Sequence, residues 1–116
     1  MANLKRHMIE LVTDVKEGEI VTKKYVTPMF IPLSVVYEAI DIMAEMKDVK
    51  VDNEKDMIDK LLAFVADKAY GGQFTKEELM KGLHAPEAMR ILQDQVLFIA
   101  RGDQNAETKK YLEKTS

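Results

Sequence analysis

The chain's two histidines, His7 and His84, are the first places to look for a general base or a metal ligand. His7 opens an expected strand, and His84 sits beside an expected helix junction. No H-x-x-x-H or H-x-x-E-H spacing links them, and that spacing is what sets two imidazoles around one metal on a helix face. Both therefore read as surface or capping residues. Carboxylates are plentiful, but Glu38, Asp41 and Glu45 recur on the polar side of one expected helix, where they are solvated rather than paired for acid–base work. Glu77 and Glu78 belong to a capping box. Ser34 and Ser116 are the only serines, and neither lies in a nucleophile elbow such as G-x-S-x-G. Gly71-Gly72-Gln73 follows a helix, whereas a phosphate cradle joins a strand to a helix N-terminus. With no cysteine in the chain, thiolate nucleophiles, thiolate metal sites and disulfides are all excluded. These residues predict a non-enzymatic protein without a metal or cofactor.

The informative side chains are apolar. Of the eight methionines, Met29, Met43, Met46, Met57, Met80 and Met89 fall in or beside apolar faces. Such flexible thioethers fill gaps in a core and also suit surfaces that repack around partner helices. In the last expected helix, Met89, Leu92, Val96 and Ile99 form one stripe, extended by Ile91 and Phe98. A narrow polar strip of Arg90, Gln93, Asp94 and Arg101 remains. That apolar arc is wider than one helix seam needs, so the helix is either central or shared with a second protein. The candidates for protein contact are Val36, Ile40 and Met43 on the first helix, and Ile91, Leu92, Phe98 and Ile99 on the last.

The elements that position these residues follow from periodicity. His7–Val15 alternates with period two, setting Ile9, Leu11, Thr13 and Val15 on one face of a strand. Lys16–Glu19 supplies a turn with Gly18 at positive φ, and the β-branched run Ile20–Thr27 completes a hairpin over 7–27. Two strands alone are marginal in water, so the hairpin must lean on a helix or another copy. Pro28 and Pro32 hold Met29-Phe30-Ile31 extended as a connector. Helices are expected over about 33–47, 53–70, 76–84 and 86–101. Asn53 is a candidate cap for the second, Gly71-Gly72 ends it, Thr75-Lys76-Glu77-Glu78 caps the third, and Pro86 opens the fourth. The fold class is α+β, predominantly helical, with one domain over residues 1–102 and a polar tail over 103–116.

Composition agrees. The chain has 116 residues, 47% hydrophobic and 32% charged, which suits one ordinary globular domain. No apolar run approaches the roughly 20 residues that span a bilayer, and the N-terminus carries no signal peptide pattern. A net charge of −3, with Lys and Glu interspersed, lacks the basic stripe that phosphate binding requires and counts against nucleic acid as partner. A reducing cytosol is the expected compartment.

The order of these elements resembles the tail assembly chaperones of long-tailed phages and prophages infecting Gram-positive bacteria. The similar parts are the Y-x-x-P-x-F-I segment at Tyr25, Pro28, Phe30 and Ile31, and the A-Y-G-G-Q-F-T-x-E-E-L run from Ala69 to Leu79; together they cover roughly residues 8–100. Members commonly carry a basic residue where this chain has Ser34-Val35-Val36. The resemblance implies a protein of the host bacterial cytosol, absent from the mature virion. It would self-associate and coat the tape measure protein until the tail tube protein polymerises around it. A generic helical interaction module, or another small phage morphogenesis factor, would use the same faces. A small DNA-binding regulator would instead use Thr75–Leu83 and Pro86–Arg101 as a helix-turn-helix. From the residues, homo-oligomerisation is expected through the hairpin edges and the last helix.

Overall fold

A computed structural model describes residues 6–47 and 53–102. The expected tail over 103–116 and the polar linker over 48–52 lie outside the described residues. An N-terminal antiparallel hairpin, β1 (Met8–Lys16) and β2 (Glu19–Val26), is followed by four helices: α1 (Ser34–Lys47), α2 (Glu54–Ala63), α3 (Lys76–Gly82) and α4 (Ala85–Arg101). α2 continues without a break into a wider π-type turn over Phe64–Ala69. The α+β, mainly helical expectation is therefore what the chain adopts.

The hairpin closes through a tight two-residue turn in which Glu17 joins Gly18 at positive φ (49° and 85°). Both central residues of the turn type that matches strand twist must be left-handed, so glycine alone does not meet its demand. One correction concerns the faces of β1. Val12 pairs with Thr22 but Asp14 pairs with Val21, leaving Thr13 as a bulge. One inserted residue moves everything beyond it to the other face. Val15 therefore leaves the Ile9/Leu11 face and stands exposed opposite Ile20, both about two-thirds accessible.

Capping follows the sequence closely at three of the helix ends. Thr75 and Glu78 form the reciprocal capping box, with both bonds near 3 Å. Gly71 and Gly72 are left-handed beyond α2, and Gly102 is left-handed beyond α4. Asn53 precedes α2 without making a side-chain capping bond, so that expectation is corrected. Gly82, at the end of α3, has a packing reason. A Cβ there would lie 3.0 Å from Leu11 Cβ and 3.1 Å from the Val12 carbonyl oxygen, so the hairpin lies directly on the helix end.

The core is built from Ile9 and Leu11 of β1, Val35, Ala39 and Ile42 of α1, a long run of α2 and its π turn, Phe74, Leu79, and Leu92, Val96, Phe98 and Ile99 of α4. α4 runs through the middle, packing on α1, α2 and the π turn.

Candidate functional site

α4 supplies the first part of the answer. Leu92, Phe98 and Ile99 are core residues, and Ile91 is partly buried against the core. The wide arc is occupied within one chain: the helix is central. On α1, Val36 and Met43 are partly buried, while Ile40 is exposed. Leu33, Tyr37 and Ile40 are 73%, 69% and 51% accessible. Their spacing of four and then three residues puts them on one helical line. Met29 and Phe30 of the proline connector, just ahead of α1 in the chain, are exposed as well. Where connector and α4 meet, Met29, Phe30, Ile31, Pro32, Val36, Phe98, Ile99 and Gly102 line an apolar groove of about 300 Å³.

A second region is polar and buried. His7 is fully enclosed, which corrects the expectation of a surface or capping residue; His84 is the exposed one. The His7 backbone N–H donates to Thr27 Oγ1 at 3.0 Å, and its carbonyl accepts from the Thr27 N–H at 2.9 Å. The imidazole stacks on Phe98 with ring centres 4.8 Å apart, and Nε2 lies 3.5 Å from Asp94 Oδ2. Among the described residues neither ring nitrogen makes a hydrogen bond of good geometry. Burial lowers the His7 pKa from its ordinary value, and the nearby Asp94 carboxylate opposes that shift. The ring is therefore neutral at pH 7.

Beside it, the Tyr70 hydroxyl donates to Gln95 Oε1 at 2.5 Å, and Gln95 Nε2 donates to the Met8 carbonyl at 3.3 Å. Burial, reinforced by Asp94, raises the Tyr70 pKa far above the ordinary phenol range. This chain of bonds ties the base of the hairpin to α4 and to the residue that ends the π turn. A dipolar network in a dry interior is worth forming only when each member is satisfied, and it fixes how the hairpin seats. Sequence reading missed Gln95, although it falls three residues after Leu92 and four before Ile99, on the core line of α4.

A cleft of about 280 Å³ between hairpin and α4 is lined by Glu10, Thr22, His84, Glu87, Arg90 and Asp94 among others. Its charges are of both signs. Among the described residues no group of three or more His, Asp or Glu side chains is placed to hold a metal ion. No helix among them is long and apolar enough to cross a membrane.

These features define a class, a small helical α+β domain whose conspicuous asset is uncovered apolar surface. A family model described as phage tail chaperone protein matches residues 3–116, nearly the whole chain, and the protein belongs to that family. It is a phage protein of tail assembly, and the family indicates a chaperone's role. No curated protein and no solved structure matches the chain.

Proposed function

We propose that the protein self-associates and keeps the phage tape measure protein soluble during tail morphogenesis, as a non-enzymatic assembly factor. The observation that carries this reading is the exposed strip formed by Met29, Phe30, Leu33, Tyr37 and Ile40 on a member of the tail chaperone family. A tape measure presents apolar helical stripes until the tube encloses it, and uncovered stripes aggregate. The α1 strip offers a matching apolar line, flanked by the groove against Phe98 and Ile99. Val36, Ile40 and Met43 belong to this contact, and Ile91, Leu92, Phe98 and Ile99 support it from within the fold. Each contact is weak, and strength comes from many copies along one client, so arriving tail tube protein can displace the coat. The complex forms in the host cytosol and leaves no chaperone in the virion.

Co-expression tests the reading. A tape measure fragment should remain soluble with the wild-type protein and precipitate with a Leu33→Asp/Tyr37→Asp variant. Equal solubility of the fragment with and without the protein would overturn it.

A further inference from the structure

The outer edge of β2 is a row of backbone groups facing away from β1. Among the described residues the sheet holds two strands. In an antiparallel pair, successive residues direct their N–H and C=O alternately toward the partner and outward. The phase is set by Thr27, whose N–H donates to His7 across the hairpin, so odd positions of β2 turn inward and even positions outward. Val26 agrees, because its carbonyl accepts from the Gln73 side chain at 2.8 Å. Further out, Ile20 and Thr22 turn outward on a stretch that is exposed from Glu19 to Lys24.

We infer that this edge pairs with the same edge of a second copy, antiparallel about a twofold axis at Val21, so that two hairpins join into one four-stranded sheet. The inference rests on the self-association proposed above and names its surface. With the axis at Val21, Ile20 of each copy meets Thr22 of the other, and the outward groups of both residues close a hydrogen-bonded ring. Val21 meets Val21 at a position without hydrogen bonds, where opposed side chains approach most closely. Glu19 meets Lys23 on both sides of the axis.

Neighbouring registers lose this match. An axis at Thr22 sets Val21 against Lys23 and Ile20 against Lys24. An axis at Lys23 sets lysine against lysine, and like charges directly opposed are destabilising. One at Ile20 sets Glu19 against Val21 and runs into the turn. Lysines that elsewhere guard an edge against indiscriminate pairing here leave a single register open. The joined sheet also draws together apolar groups exposed in one copy, Val15 and Ile20 on one face and Val21 on the other. Two strands are marginal alone, and four with apolar faces are not.

The absence of cysteine from the chain makes the test clean. Opposed Cα atoms at such a position are about 4.5 Å apart, within the reach of a disulfide. A Val21→Cys variant should therefore oxidise to a covalent dimer, and a Thr22→Cys variant should do so much more slowly. Glu19→Lys and Lys23→Glu should each weaken the dimer about tenfold, since two attractive pairs become repulsive. The double exchange should restore it. If sedimentation finds a wild-type dimer but Val21→Cys crosslinks no faster than Thr22→Cys, the edge pairing is wrong while self-association stands. A wild-type protein that stays monomeric at hundreds of micromolar overturns both. Crosslinking of Val21→Cys to a single-cysteine tape measure fragment in preference to itself would assign the edge to the client and overturn the pairing.

Discussion

α1 and α4 are similarly rich in apolar residues, yet they end in opposite surroundings. α4 lies between α1, α2, the π turn and the base of the hairpin, so Leu92, Val96, Phe98 and Ile99 are all enclosed. Among the described residues α1 has neighbours on one side only. It buries Val35, Ala39 and Ile42 and leaves Leu33, Tyr37 and Ile40 outside. The width of an apolar arc therefore does not identify a surface for partners. What identifies it is how many sides of the helix the rest of the chain can reach.

The contrast can be broken by substitution. Phe98→Ala should cost about 3–5 kcal/mol in a urea unfolding experiment, because a large buried ring stacked on His7 is lost. A cost below 1 kcal/mol would mean that α4 is not the centre of the core. Tyr70→Phe should cost about 1–3 kcal/mol, since it leaves the buried Gln95 oxygen without its donor. The same unfolding assay reads it, and a neutral outcome would remove the buried network from the account of how the hairpin seats.

Acid should act through His7, on the α4 side. The His7 pKa is lowered from 6.5 on folding, chiefly by burial, so the unfolded chain takes up the proton more readily than the native one. Stability is then fully present above pH 6.5 and is lost as pH falls below that value toward the folded pKa. Urea midpoints at several pH values between 5 and 7.5 should decline toward acid, and His7→Gln should flatten the decline over that range. The smallest effect on stability belongs to α1. Leu33→Ser or Tyr37→Ser should move the unfolding free energy by no more than about 0.5 kcal/mol while weakening client solubilisation. A large loss of stability would mean that the strip is part of the fold and not a free surface.

Much of this arrangement was legible in the residues. Two left-handed glycines, the Thr75–Glu78 box and the period of each helix report local rules that hold whatever the chain packs against. The family resemblance was carried by the same local features, the proline connector and the Ala69–Leu79 run. The burial of His7 was not legible, because it depends on Phe98 and Asp94, which are remote in sequence. Nor was the division of labour between α1 and α4, which is a matter of tertiary neighbours. The bulge at Thr13 escaped because alternation looks unbroken in the sequence; only the partner strand reveals which residue is extra. Gln95 escaped for a different reason. Its position on the core line was visible, but nothing local announced that Tyr70 would meet it.

Thr13 carries a geometric consequence as well. Pairing is complete on both sides of it, Val12 with Thr22 and Asp14 with Val21, so the extra residue contributes curvature and no paired residue of its own, only a bond from its hydroxyl to the Val21 carbonyl at 3.2 Å. Excising it would keep every cross-strand neighbour and straighten the arm, because a bulge bends its strand and tightens the local twist. The direction in which the tip points is thus encoded at one position. In an assembly joined through this arm, the angle between successive bodies, and with it the pitch of a coat wound along a filamentous client, would be adjustable by a single-residue deletion that keeps the paired register.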